Sequence, residues 1–195
     1  MQSLFFIYFK LGFEHIINIG ALDHILFIIG ICVVYSLNEW VKVAYLVSAF
    51  TVGHFISLAI TLFSEQSIIS SNVIETAILV TILLVAYANL FIHERKLDFL
   101  MNSKYWFSAF FGIIHGLGFS NYLRSILLND DLGMSLFAFN IGVELGQLCI
   151  VAIVLAIGYL LVEKYGVKQR IWRRNISIFI FIVTIGLLVN AFRNV

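Results

Sequence analysis

The chain has 195 residues and a formal net charge of +1, and it is 62% hydrophobic but only 12% charged. A soluble domain is about 45–50% apolar and about 25% charged, so this composition excludes an ordinary soluble protein. The small net charge provides no basic face for phosphates and excludes a nucleic-acid partner. The length fits a single domain over residues 1–195, with no Pro- or Ser-rich linker and no obvious repeat.

Apolar runs of membrane-spanning length follow one another along the chain. A helix needs about 20 apolar residues to cross the hydrocarbon core, and a backbone in lipid must satisfy its own hydrogen bonds. We therefore predict an all-α, polytopic membrane helix bundle with six transmembrane helices, at 19–37, 42–64, 73–93, 105–127, 134–162 and 174–192. Residues 3–17 are interrupted by Lys10, Glu14 and His15. This segment predicts a short N-terminal interfacial helix, and a seventh span is the alternative.

The basic residues predict an orientation. Nine of the 12 Lys and Arg residues lie in or beside three loops, at 38–42, 94–104 and 163–173. Cytoplasmic loops carry an excess of Lys and Arg. The three loops are therefore predicted to be cytoplasmic, with both termini on the opposite side of a multi-pass membrane protein.

Polar side chains recur within the first two predicted spans and just before them. Asp23 and His24 lie in the first span, and His15 precedes it. The second span carries a stripe at spacings of three and four, which places its members on one helix face. This stripe consists of Thr51, His54, Ser57 and Thr61.

The later spans carry further polar groups. Glu75 opens the third span, His115 lies in the fourth, and the fifth holds Asn140, Glu144 and Gln147 on one face. With a rise of about 1.5 Å per residue, the ionisable groups all fall between the outer surface and the midplane. The sequence therefore predicts one site in the outer half of the bundle. The inner half has few polar residues, and no broken helix pair is evident.

Imidazole and carboxylate groups together suit first-row metals such as zinc, nickel, cobalt or iron. Groups beyond those that one ion needs would orient its ligands. Each residue also has a structural interpretation. His54 could be a packing residue, Asp23 could stabilise a helix N-terminus, and Glu144 could be a protonated, hydrogen-bonded acid.

Five ordered blocks carry a resemblance to a known family. They are Gly12-Phe13-Glu14-His15-Ile16, Leu22-Asp23-His24-Ile25-Leu26-Phe27, Phe50-Thr51-Val52-Gly53-His54, Phe111-Gly112-Ile113-Ile114-His115-Gly116-Leu117-Gly118-Phe119 and Gly142-Val143-Glu144. Over residues 12–150 the chain resembles the HupE/UreJ family of bacterial membrane proteins.

The resemblance implies a nickel or cobalt permease, or an accessory protein of hydrogenase or urease maturation, in the bacterial inner membrane. It implies metal contacts at His15, Asp23, His24, His54 and His115. The remaining polar residues are predicted to orient these ligands or to line the path of the ion. They are Thr51, Ser57, Glu75, Asn140, Glu144 and Gln147.

Three functions remain open from the sequence. A permease would pass nickel, cobalt or zinc through this site, whereas an accessory protein would only bind the ion. The alternative is an intramembrane zinc hydrolase acting on a lipid or a membrane peptide, with Glu144 as general base. The H-E-x-x-H motif of zinc proteases is absent from the sequence.

Overall fold

The computed structural model describes residues 4–20, 22–64, 70–91, 103–126 and 132–193, without the side chain of Asn121. Seven α-helices occupy these ranges: α1 Leu4–Ile17, α2 Leu22–Cys32, α3 Trp40–Phe63, α4 Ser71–Phe91, α5 Lys104–Ile126, α6 Leu132–Tyr159 and α7 Gln169–Arg193. A 3₁₀ turn precedes α3 and a π-helical turn extends α6. The predicted all-α class is confirmed for this part of the chain. The predicted loop 94–104 lies outside it except for its last two residues.

Four helical segments are long and apolar enough to cross a membrane. They are Leu37–Phe63, Ser71–Phe91, Leu132–Lys164 and Gln169–Arg193, and they correspond to the predicted spans 42–64, 73–93, 134–162 and 174–192. Helix α5 covers the predicted span 105–127 with 23 residues, but it is not among the four. The count of six spans is therefore not confirmed.

The predicted first span at 19–37 is wrong as a single straight helix. Helix α2 has only 11 residues, which cover about 16 Å at the usual rise. It follows α1 across a bend of 68°, and the two helices together form one further candidate span. At the bend, the amide of Gly20 donates to Oδ1 of Asn18 at 2.8 Å. Such side-chain bonds to the local backbone compete with helix formation, and they give a physical reason for the break.

Helix α1 lies along α6 in a parallel arrangement. A Cβ atom added at Gly12 would lie 2.0 Å from the carbonyl oxygen of Phe139, and one added at Gly142 would lie 2.0 Å from the carbonyl oxygen of Phe9. Only glycine permits this approach of two backbones, as in small-residue helix contacts of membrane proteins. The helix predicted at 3–17 is thus present, and it packs lengthwise against a long apolar helix.

Helices α3 and α5 form a second parallel pair with the same register. Added Cβ atoms at Gly53 and Gly112 would lie 1.9 Å and 2.0 Å from the carbonyl oxygens of Ala109 and Phe50. In both pairs, each glycine faces the carbonyl three residues before its partner glycine. The pattern G-x-x-H occurs at 12–15 and 112–115, and F-x-x-G occurs at 50–53 and 139–142. A short repeat, not recognised from the sequence alone, therefore relates α1 to α5 and α3 to α6.

Candidate metal centre

Four helices bring one imidazole each to the centre of the bundle. His15 on α1 and His115 on α5 each follow a contact glycine by three residues, and His54 on α3 follows Gly53 by one. His24 lies in the first turn of α2, just after the bend. Because the glycines fix where the helices touch, the imidazoles of His15, His54 and His115 near them converge.

The imidazoles are close enough to share a cation. The ring centroids of His15 and His24 are 4.7 Å apart, and those of His24 and His115 are 5.1 Å apart. One ligand nitrogen from each of His15, His24 and His54 lies within 4.8 Å of the other two. Two nitrogens bound to one ion, each at about 2.0–2.1 Å, are at most about 4 Å apart. The three imidazoles are therefore nearly in position for one metal ion.

Five ring nitrogens of this cluster are buried without hydrogen-bond partners in the described part of the chain. His24, His54 and His115 are at most 3% exposed. Nε2 of His15, His24 and His115 and both ring nitrogens of His54 have no partner there. Buried polar atoms are normally hydrogen-bonded, so five unpaired donor atoms at one point fit a bound cation.

Two of the imidazoles are oriented by hydrogen bonds at their Nδ1 atoms. Nδ1 of His24 donates to Oδ1 of Asp23 at 3.3 Å, and Nδ1 of His115 donates to the carbonyl of Phe111 at 2.8 Å. Each bond leaves the Nε2 lone pair free to face the cluster, as outer partners do for metal-bound histidines. Asp23, predicted as a direct metal contact, lies behind His24 and outside the three-imidazole group.

Aromatic rings enclose the cluster. The Phe119 ring centroid is 3.9 Å from that of His15, and the Phe50 and Phe27 centroids are 5.0 Å and 5.5 Å from that of His115. These rings keep the surroundings of the imidazoles apolar, and a low dielectric strengthens electrostatic interactions there. The sequence does not single out these rings, because phenylalanines in a membrane protein carry no signal of a site.

A row of polar side chains between α3 and α6 begins beside the cluster, and we call it the polar seam. It consists of Ser48, Thr51, Asn140, Glu144 and Gln147. Asn140, which lies beside His54, donates from Nδ2 to the carbonyl of Leu136, and its Oδ1 has no partner among the described residues. Thr51 Oγ1 donates to Gln147 Oε1 at 2.9 Å.

The seam ends at Glu144. Ser48 Oγ donates to Oε1 of Glu144 at 2.5 Å, so this carboxylate is held away from the imidazole group. Ser48 was not predicted, although it extends the stripe of Thr51 and His54 by one further step of three residues. Ser57 donates to the carbonyl of His54 at 2.9 Å, and it serves the helix backbone rather than the imidazoles.

A cavity of about 390 Å³ lies between α2, α4 and α7, and we call it the outer cavity. Its polar lining consists of Asp23, Glu75, Asn72 and Asn190. Glu75 is exposed there, while Asp23 is hydrogen-bonded to His24. Two carboxylates in a cavity attract cations, and Asp23 connects that cavity to the imidazole cluster.

The family profile described as HupE / UreJ protein matches residues 1–193. The chain belongs to the HupE / UreJ family. No curated protein and no solved structure matches the chain significantly. The HupE / UreJ match extends beyond the blocks at 12–150 and includes α7, so it covers the whole helical bundle.

HupE / UreJ proteins are bacterial membrane proteins of nickel and cobalt transport or accessory function. The four apolar helices agree with a place in the lipid bilayer. The histidine cluster agrees with the handling of metal ions.

Proposed function

We propose that this HupE / UreJ protein is a permease for a divalent transition metal ion of the nickel or cobalt type. The ion binds to His15, His24 and His54, with His115 as a fourth ligand. The observation that supports this most is the convergence of unpaired, buried imidazole nitrogens from four helices. Neutral imidazole binds nickel, cobalt and zinc, and general affinity rises from cobalt to nickel.

The ion enters through the outer cavity in this proposal. Glu75 and Asp23 attract the hydrated cation, and Asp23 lies one hydrogen bond from His24. The excess of Lys and Arg in the predicted loops at 38–42, 94–104 and 163–173 supports a cytoplasmic location for the opposite end of the bundle. Uptake across the bacterial inner membrane follows from this orientation.

The repeated glycine pairs support a transporter. Consecutive membrane-crossing helices alternate in direction, so α3 and α5 run opposite to α1 and α6 when all of them cross. The repeat then has inverted topology, and many transporters bind their substrates between such repeats beside a broken helix. The bent α1–α2 pair carries His15 and His24 on its two sides, which matches that arrangement.

The position of Glu144, its predicted base, does not support the hydrolase alternative. A zinc hydrolase needs a group that takes a proton from the metal-bound water. Glu144 was the candidate, but its carboxylate is held by Ser48 and is not part of the imidazole group. An accessory protein that binds the ion without transport remains the competing function, and flux separates the two.

The test combines elemental analysis with flux. Purified protein is expected to hold about one nickel or cobalt ion per chain, as a single mononuclear site would, and proteoliposomes are expected to accumulate the ion. His24→Ala and His54→Ala should abolish both properties. His93→Ala is the matched control, because the sequence places His93 at the border of the predicted loop 94–104, beside Glu94 and Arg95. Bound ion without flux would favour the accessory function, and neither property in the wild type would refute a metal site.

A further inference from the structure

A second cavity, of about 270 Å³, lies between α2, α4 and α5. The imidazole cluster separates it from the outer cavity. We call it the inner cavity. Its walls are mostly apolar, with Ile31, Val34, Leu84, Ala88 and Phe107 among the lining residues. A hydrated metal ion has no ligands in such a space.

Two polar side chains in these walls, those of Asn89 and Ser108, already donate hydrogen bonds to helix backbones. Asn89 Nδ2 donates to the carbonyl of Gly30 at 2.7 Å, and Ser108 Oγ donates to the carbonyl of Leu46 at 2.7 Å. Both groups therefore satisfy helix backbones. This part of the inner cavity therefore presents apolar surface to a ligand.

One end of the inner cavity carries positive charge and tyrosines. Lys104 Nζ donates to the hydroxyl of Tyr35 at 3.3 Å and lies 5.2 Å from the ring centroid of Tyr105. Lys42 is near enough to repel Lys104 electrostatically, although Lys42 also pairs with Glu39 at 2.7 Å. Tyrosine and lysine are characteristic of the membrane interface, and this end is the predicted cytoplasmic one.

We propose that the inner cavity binds one acyl chain of an anionic phospholipid from the cytoplasmic leaflet, with the lipid phosphate at Lys104. An apolar groove ending in a cation matches the two parts of such a lipid. Basic pockets between transmembrane helices on the cytoplasmic side bind anionic head groups. The proposal does not depend on the metal.

The end of the inner cavity farthest from Lys104 is lined by residues that contact His115. Phe27 and Phe111 line the cavity. The Phe27 ring centroid is 5.5 Å from that of His115, and the Phe111 carbonyl accepts from His115 Nδ1. A bound acyl chain therefore packs against residues that hold His115, and lipid occupancy stabilises this part of the bundle.

The test uses the delipidated full chain in detergent. Phosphatidylglycerol and phosphatidylcholine with identical acyl chains are titrated, with native mass spectrometry and the unfolding temperature as readouts. Wild type is expected to bind phosphatidylglycerol about fivefold more tightly, the effect of one lysine near a head group. Lys104→Gln should remove this preference, while Lys164→Gln, an exposed cation at the same end, should keep it.

A second variant tests the acyl chain separately from the charge. Ala88→Phe fills the inner cavity and should abolish the stabilisation by both lipids, whereas Ala152→Phe on the exposed face of α6 should not. Equal binding of the two lipids by wild type, or an unchanged preference in Lys104→Gln, would overturn the proposal. A stabilisation by glycerol phosphate equal to that by the lipid would also overturn it, because a soluble anion would then suffice.

Discussion

Oδ1 of Asp23 lies 3.3 Å from Nδ1 of His24, and this contact joins the outer cavity to the imidazole cluster. The carboxylate therefore has two neighbours of different kinds. It faces the space through which a cation would arrive, and it fixes the tautomer of an imidazole that would bind the cation.

Replacing Asp23 by Asn should weaken metal binding without unfolding the protein. The amide keeps the shape of the side chain but removes the charge that stabilises the Nδ1–H tautomer of His24. Loss of such an outer partner lowers metal affinity about 10- to 100-fold. Equilibrium dialysis with nickel measures the change.

Glu75→Gln is the matched control for this variant. Glu75 lines the outer cavity and does not belong to the group of His15, His24 and His54. Its loss should therefore slow uptake at low nickel concentrations and leave the affinity unchanged. Equal losses of affinity in both variants would contradict the separate roles.

Nickel should stabilise the folded protein at neutral pH and lose this effect at acidic pH. Metal ligands must be deprotonated to bind, so protons compete with the ion at the imidazoles as the pH falls. A ligand at 100 times its Kd stabilises the native state by about 2.7 kcal/mol. The unfolding temperature with and without nickel, at pH 7.5 and pH 5.5, measures the effect.

His54→Ala provides the comparison for the pH series, since both ring nitrogens of His54 are buried without a hydrogen-bond partner among the described residues. The variant should show no nickel-dependent rise in unfolding temperature at either pH. A pH-independent rise in the wild type would point to carboxylate ligands instead.

Gly112→Ala should destabilise the bundle, because the added Cβ would lie 2.0 Å from the carbonyl oxygen of Phe50. Overpacking of this kind costs about 1–3 kcal/mol. Gly186→Ala is the control, since nothing lies within 4 Å of a Cβ added there. Alanine favours a helix over glycine by up to about 1 kcal/mol, so that variant should be neutral or more stable. Equal unfolding temperatures would show that α3 and α5 do not approach closely.

Glu144→Gln should reduce flux while the imidazole cluster keeps its ion. Its carboxylate accepts from Ser48 in the polar seam and is not in the ligand group. Flux in proteoliposomes and metal content are measured on the same preparation. Loss of the bound ion would instead place Glu144 among the ligands. Ser48→Ala should produce a smaller reduction, because the charge remains.

The sequence predicts the long helices well because their apolar length is a local property. Helices α3, α4, α6 and α7 follow from it directly. It does not predict the α1–α2 break, where a single bond from Gly20 to Asn18 replaces the helix within an apolar run. Local hydrophobicity carries no signal of that bond.

The candidate site was likewise predictable in part. Depth along the predicted spans placed His24, His54 and His115 in one half of the bundle, and the resemblance to HupE / UreJ proteins added His15. Depth along a helix does not give the direction of a side chain, and so it could not distinguish Asp23, which lies behind His24, from the imidazoles that face one another.

The glycine register of α1 and α6 has a consequence for how the protein is made. Gly12 packs against the backbone of Phe139 and Val143, which are synthesised only after most of the chain. During translation, α1 therefore lacks the helix against which it packs until α6 has been inserted. His15 cannot reach its final position before then, so the imidazole cluster is completed late in biogenesis, after most of the chain has left the ribosome.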